Sequence, residues 1–290
     1  MAITLESSFT GTLSLAEYID FCDAHPRLTD PDEAMATADQ LRGLANDRGL
    51  LARWLNEELK DVYSFQEKND FKPPTFVLHR GRDYTIRAVV WLPLDELSDP
   101  SMFSYFEPHD HNFDFLTCGY SGPGYRTVIY EYEHDRVAGY PCEQVDFTFG
   151  EDTTLPPGKL MYYRSSRDVH IQYPPEALSI SLNLILPRKG KAKRQYEFDL
   201  ERRTVLGQIN ELPQRRAIFA AAGMVGDGES RELLLSIARR HTCERTRALS
   251  WQTLIQQHGQ EAASYLDMAM QDPNVYVKAI ATRAFAGQRS

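Results

Sequence analysis

The stretch His109-Asp110-His111-Asn112-Phe113-Asp114-Phe115-Leu116 decides how the chain is read. It follows Pro108 and opens an extended run, on which residues i and i+2 point to one side. Both imidazoles can therefore face one interior. A third histidine, His170, stands ahead of the β-branched run Leu178–Leu186. Two histidines on one strand and a third from a neighbouring strand form a three-nitrogen cap. Such a cap leaves open positions on a metal for water, dioxygen or substrate. H-x-H alone is common and often structural, so its surroundings carry the argument.

Outward from this pair the chain is a series of short strands. Phe76–Leu78, Ile86–Trp91, Thr127–Tyr132, Val145–Phe149 and Leu178–Leu186 are rich in β-branched and aromatic residues. Turn residues separate them: Gly119 to Gly124, Gly139-Tyr140-Pro141 and Pro156-Pro157-Gly158. Many short strands with regular turn signals indicate a sandwich or barrel.

Together these features resemble the cupin superfamily. Its first motif carries an H-x-H, a glutamate four or five residues on and a glycine about six further, and here His109, His111 and Gly122 match. The second begins G-x5-P-x-G, which Gly150 to Gly158 reproduces. Met161 stands where that motif usually has its histidine. Instead His170 ends the stretch from Tyr162, an arrangement similar to the thiol dioxygenase branch, of which cysteine dioxygenase is the familiar member. The likeness covers roughly residues 75–190. Phe115 and Leu116 occupy the glutamate's places, and Asp114 is one residue early. The thiol dioxygenases also lack that glutamate and hold iron with three histidines. The resemblance therefore implies Fe(II), or another divalent metal, on His109, His111 and His170. It implies a carboxylate-binding arginine on an early strand, for which Arg80 and then Arg82 are the candidates. The branch's tyrosine on the last strand has no match, because Asn183 and Ile185 stand there, and Cys118 is two residues too late for its thioether cysteine. Tyr162 and Tyr163 are the candidate catalytic phenols: one should point inward, to bond a metal-bound ligand or to pack, and the other out. Arg164 and Arg167 are expected in solvent, and His79 and His134 as ordinary residues.

The flanks are helical. Ser14 can cap a helix through Cys22, and Asp30-Pro31 offers a cap with proline at the first helical position. Apolar residues from Leu41 to Leu59 follow at helical spacing, interrupted by Gly43 and Gly49. Near residue 200 the charge changes: residues 201–290 hold 12 Lys and Arg against 9 Asp and Glu, so the acidity of a chain with net charge −9 lies in its first 200 residues. Beyond the boundary Arg216-Ala217-Ile218, Arg247-Ala248-Leu249 and Lys278-Ala279-Ile280 recur every 31 residues, as do Leu235 with Leu266 and Ala238 with Ala269. This resembles a HEAT-type helical array. The expected architecture is α+β: a helical segment 1–70, a cupin barrel 71–200 and a HEAT-like array 201–290.

Other classes lose support. The 42% hydrophobic content, with 15 Tyr and 14 Phe, supplies a core and argues against disorder. The longest nearly unbroken apolar stretch, Ala217 to Val225, is far below the roughly 20 residues of a membrane span. Residues 1–20 lack the pattern of a secretion signal, and four scattered cysteines without C-x-x-C spacing suggest a reducing cytoplasm. Net acidity argues against general nucleic-acid binding. The basic run Arg188 to Arg194 suits a solvated linker or, less well, an acidic partner. Phosphate-loop, dinucleotide and G-x-S-x-G patterns are absent. The expected function is a non-haem iron-dependent oxygenase that combines O2 with a small carboxylate, an amino acid or a peptide-borne residue. The alternatives are a non-catalytic metal-binding adaptor whose array binds a protein partner, and a metal-dependent isomerase or decarboxylase.

Overall fold

Alternation between residues 75 and 187 produces two antiparallel sheets, and the computed structural model describes residues 2–61, 63–67, 69–71, 74–96, 103–188, 193–209 and 213–287. The chain forms two compact units, Met1–His134 with Val145–Arg203, and Asp135–Gln144 with Thr204–Ser290.

The first unit begins with strand β1 (Ile3–Leu5) and helices α1 (Leu15–Ala24), α2 (Pro31–Ala36), α3 (Ala38–Asn46) and α4 (Leu50–Glu58). There follow β2 (Thr75–Arg80), β3 (Thr85–Trp91), β4 (Phe113–Ser121), β5 (Arg126–Glu131), β6 (Thr148–Thr154), β7 (Leu160–Tyr163), β8 (Asp168–Tyr173), β9 (Ser179–Pro187) and β10 (Tyr196–Asp199). One sheet has the order β1-β7-β4-β9-β3-β2, and the other β6-β5-β8.

Ser14 caps α1 in a reciprocal box: its hydroxyl accepts from the Glu17 amide, and Glu17 accepts from the Ser14 amide at 2.8 Å. Asp30 caps α2 with Pro31 at its first position. The helical segment breaks at Thr37 and again at Asp47–Gly49, so three short helices replace one long one. β1, which helical periodicity gave no reason to expect, pairs with β7 through Ile3–Tyr162 and Leu5–Leu160. Val145–Phe147 stay outside the ladder, and β6 instead runs through Gly150.

Strand alternation splits the larger sheet's side chains into two cores. Leu116, Leu160, Tyr162, Leu182 and Leu184 face α1 and α3, against Tyr18, Leu41 and Leu44. Phe115, Met161, Tyr163 and Ile185 face the other way, toward Tyr125 and Ile129. Each fully buried leucine contributes about 1.5–3 kcal/mol. Gly158 has φ +84° and closes the β6–β7 turn, its amide donating to Gly119 at 2.7 Å. Gly119 in turn lies so close to Pro156 that a Cβ would stand 2.1 Å from that carbonyl oxygen. Gly158 of the second motif and Gly119 of β4 thus seat this turn on β4.

The second unit contains β11 (Thr204–Gln208) and helices α5 (Pro213–Val225), α6 (Gly228–Arg240), α7 (Glu244–Gln257), α8 (Ala262–Ala269) and α9 (Val275–Ala286). α5, α7 and α9 begin 31 residues apart, the repeat spacing of the sequence. Ala238, Ala248, Trp251, Leu254, Tyr265, Ala269 and Val277 form its core. The Arg245 guanidinium stacks 3.3 Å from the Tyr276 ring centre and donates to the Ala138 and Gly139 carbonyls. Among the described residues the four cysteines are free thiols, and no helix is long and apolar enough to cross a membrane. Of the basic run, Arg188 pairs with buried Asp114, while residues 189–192 lie outside the described residues.

Candidate metal centre

His109 and His111 lie on the extended segment that leads into β4, and His170 on β8. His109 and His170 exchange two backbone hydrogen bonds, of 3.1 and 3.0 Å, which fix these segments side by side. The i, i+2 spacing then turns both rings of the pair toward His170. Ring centres are 4.5–5.0 Å apart and the planes 62–88° from one another. The Nε2 atoms converge: His170 Nε2 is 3.1 Å from His109 Nε2 and 3.1 Å from His111 Nε2.

These spacings fit an ion. Two nitrogens each about 2.1 Å from one metal lie about 3.0 Å apart at a right angle and about 3.4 Å apart at the tetrahedral angle. At His109 the protonation pattern fits as well. His109 Nδ1 is 2.8 Å from the Glu107 carbonyl, which can only accept, so Nδ1 holds the proton and Nε2 the lone pair. The side-chain amides of Gln195 and Gln172 lie 3.1 Å from His111 Nδ1 and 3.0 Å from His170 Nδ1. Burial, reinforced by the neighbouring rings and the Arg87 cation, holds His111 and His170 well below the ordinary imidazole pKa. Neutral imidazole is the ligating form.

Asp110, between the two ligand candidates, points the opposite way. It accepts from the Tyr132 hydroxyl and the Tyr196 amide, both at 2.6 Å, while burial pushes its carboxyl up to about 7. The carboxylate thereby clamps the H-x-H segment from behind. Asp114 also faces away, accepting from Arg188 at 2.9 Å and from the Ser165 amide at 2.6 Å.

The histidines open into a cavity of about 130 Å³ whose walls include Arg87, Val89, Trp91, Phe103, Tyr125 and Asn183. Neither Arg80 nor Arg82 is on its lining: Arg80 ends β2 in an exposed pair with Asp70, and Arg82 is exposed in the turn that follows. The register of β2 shifts between Val77 and His79, so alternation cannot be carried across that strand. The cavity arginine is Arg87, in phase with Val89 and Trp91 along β3. It lies over the Phe71 ring at 4.7 Å, and its buried Nε has no hydrogen-bond partner. No carboxylate pairs with it among the described residues, and desolvation lowers its pKa to about 10.

The two candidate phenols part company by alternation. Tyr162 faces the helices, and its buried hydroxyl lies near the Asp114 carboxylate without a hydrogen bond of normal length among the described residues. Tyr163 points inward, stacks on Phe115 at 4.4 Å and meets the His170 ring edge-on at 5.0 Å, so it buttresses a ligand candidate. The phenol that lines the cavity is Tyr125, packed against Trp91 with ring centres 4.0 Å apart and the planes tilted by 30°. Arg164, expected in solvent, is largely buried between Asp168 and Glu131. Sequence inspection passed over Arg87, Tyr125, Gln172 and Gln195. For Arg87 a signal existed: a cation inside an apolar strand, two residues before Val89 and four before Trp91.

No protein-family model matches the chain, and no curated protein matches it. Among solved structures it resembles one of the DMSP lyases RdDddP and RnDddQII, with 13% identity and a TM-score of 0.26 over 42% of this chain and 50% of that one. The chain thus spans about half that protein's length. It also resembles a cupin-2 domain containing protein from Shewanella frigidimarina, with 12% identity and a TM-score of 0.25 over 46% of this chain and 99% of that one. Both likenesses are faint, and the chemistry of this chain is read from its own residues: three imidazoles gathered as a metal cap, with an arginine on the same cavity wall.

Proposed function

We propose that this chain is a cupin-type, metal-dependent oxygenase that oxidises a small substrate bearing a carboxylate. One observation carries the reading: three imidazole Nε2 atoms converge beside a guanidinium that lacks a carboxylate partner among the described residues. His109, His111 and His170 would hold one divalent ion, Fe(II) in the first instance, since imidazole donors suit iron among other transition metals. When bound, that ion supplies adjacent open positions at which dioxygen and a substrate heteroatom meet.

The rest is the work of the chain's own residues. Arg87 takes the substrate carboxylate in a two-pronged hydrogen bond, offsetting the cost of its own burial. Trp91 and Tyr125 press on the apolar part of the substrate, limiting rotation and excluding water. Gln172 and Gln195 orient the rings of His170 and His111, and the Tyr125 hydroxyl is placed to hold or pass a proton. The array of the second unit, read as HEAT-like, is the candidate surface for a protein or peptide partner.

Two measurements test this reading. Protein loaded anaerobically with Fe(II) should retain one equivalent, and His170→Ala should retain none. Oxygen uptake should then appear with small carboxylates, thiols and amino acids among them, and should weaken in Arg87→Ala. Retention of metal without oxygen uptake, but with turnover of a carboxylate, would transfer the site to isomerase or decarboxylase chemistry, which the Tyr125 phenol also suits. A chain that binds no metal is not an enzyme of this kind.

A further inference from the structure

α5 is the most apolar helix surface that the second unit leaves uncovered. Its inner face is settled by packing: Phe219 and Ala222 join the helical core, and a Cβ on Gly223 would stand 2.6 Å from Thr253 Cγ2 and 2.7 Å from Gln257 Cγ of α7. At 100° per residue the opposite face carries Ala217, Ile218, Ala221, Met224 and Val225. All five are exposed, Ile218 at 67%, Met224 at 72% and Val225 at 84%. The 31-residue repeat makes this exposure informative. Ala248, Leu249 and Ile255 of α7 stand one period after Ala217, Ile218 and Met224, and all three are buried. At three of the five positions the first helix of the array thus matches its successor but stays uncovered, while Ala221 and Val225 are apolar where α7 has Gln252 and Gln256.

We infer that this face is covered by α5 of a second copy, packed antiparallel about a two-fold axis at Ala221. The sequence is self-complementary about that point. Ile218 falls opposite the partner's Met224, Ala217 opposite the partner's Val225, and small Ala221 meets its own counterpart where the helices approach most closely. Charge agrees with this direction. Exposed Arg215 at the start of α5 comes to the partner's far end, where the carboxylates of Asp227 and Glu229 are exposed. A parallel pair would bring like ends together. One helix pair covers less than the roughly 1,200–2,000 Å² of a stable standard interface, so the dimer should dissociate in the micromolar range.

Sedimentation equilibrium on the full chain tests the dimer, and cross-linking tests its geometry. Helix axes about 8–10 Å apart put the two Ala221 Cα atoms roughly 3.5–5.5 Å apart, overlapping the disulfide range. In a Cys142→Ser/Cys243→Ser background, Ala221→Cys should therefore form an interchain disulfide under mild oxidation. Gln256→Cys, exposed on α7, should not. Ile218→Glu should weaken the dimer about a hundred-fold or more while leaving the circular dichroism unchanged. The inference is overturned by a chain that stays monomeric at high micromolar concentration, whether or not another protein binds α5. A dimer indifferent to Ile218→Glu, or an Ala221→Cys variant that cross-links no better than Gln256→Cys, overturns it equally.

Discussion

Two arginines, one in each unit, are withdrawn from water in opposite ways. Arg247 on α7 grips Asp272 with two bonds of 2.7 and 3.0 Å, and its remaining nitrogen donates to the carbonyls of His241 and Thr242. Arg87 on β3 reaches a cavity wall with aromatic rings beside it and no carboxylate among the described residues. A folded chain that needs a buried cation for its own stability supplies the counter-charge, as the second unit does. One that keeps the cation and omits the partner leaves the position to something that arrives from outside. On the proposed reading, the difference separates a structural arginine from a binding one by what surrounds each, since the side chains are the same.

The largest effect should come from breaking the satisfied pair. Asp272→Ala leaves the Arg247 guanidinium without its carboxylate and should cost about 3–5 kcal/mol in urea denaturation, whereas Arg247→Met with Asp272→Leu should recover most of the loss. Burial alone would raise the Asp272 carboxyl, but Arg247 and the Asn274 amide outweigh it and hold the pKa below the usual value. A folded-state pKa below the unfolded one means that this stabilisation is present at neutral pH and fades as the pH falls through the carboxylate range. The gap between parent and Asp272→Ala should therefore narrow below about pH 4.

Arg87→Met sharpens the contrast from the other side. It removes a desolvated cation that no fixed carboxylate neutralises, so stability should stay within about 1 kcal/mol of the parent or rise. Metal content should persist, while kcat/KM for a carboxylate substrate falls about 10²–10³-fold, or about 2.7–4 kcal/mol. A loss of stability as large as that of Asp272→Ala would show that Arg87 has a structural partner and end the distinction.

A smaller effect belongs to the glutamines that orient the imidazole rings. Gln195→Ala leaves His111 Nδ1 without its 3.1 Å amide neighbour and frees the ring to turn. Metal affinity, measured by competition with a chromogenic chelator, should fall about 10–100-fold with the fold intact. Unchanged affinity would mean that packing against Phe113, whose ring stacks 4.6 Å away, already fixes the imidazole.

The sequence made the histidines legible because strand periodicity is rigid: His109 and His111 share a side wherever the segment is extended, and His170 then needs only a neighbouring strand. Helix caps at Ser14 and Asp30 were legible for the same local reason. What escaped depended on register. Arg80 and Arg82 sit at the end of a bulged strand and in the turn beyond it, where counting by twos fails, while Arg87 sits three residues inside a regular one. Gln172 and Gln195 carry no signal of their own, because a glutamine beside a histidine in space is indistinguishable in sequence from one in solvent. β1 is three residues long and finds its place only because β7 offers it an edge.

The smallest effect concerns the two tyrosines of β7, which differ only by facing opposite sides of one sheet. Tyr163 lies beside His170, yet its hydroxyl makes only long contacts, to Thr127 Oγ1 at 3.5 Å and Met161 Sδ at 4.0 Å, so Tyr163→Phe removes weak contacts and keeps the ring that buttresses the ligand candidate. Its cost should stay below about 1 kcal/mol, with metal affinity unchanged. Tyr162→Phe should have the opposite sign. Its hydroxyl is buried with the Asp114 carboxylate nearby but no hydrogen bond of normal length among the described residues, and an unsatisfied buried hydroxyl is a standing penalty of about 1–3 kcal/mol that the ring alone does not incur. The phenylalanine variant should therefore match or exceed the parent in urea denaturation and bind metal equally well. If Tyr162→Phe instead lowers stability by more than about 1 kcal/mol, that hydroxyl has a partner in solution. The β7 face toward the helices would then be a satisfied polar site like the Arg247–Asp272 pair, and unlike Arg87.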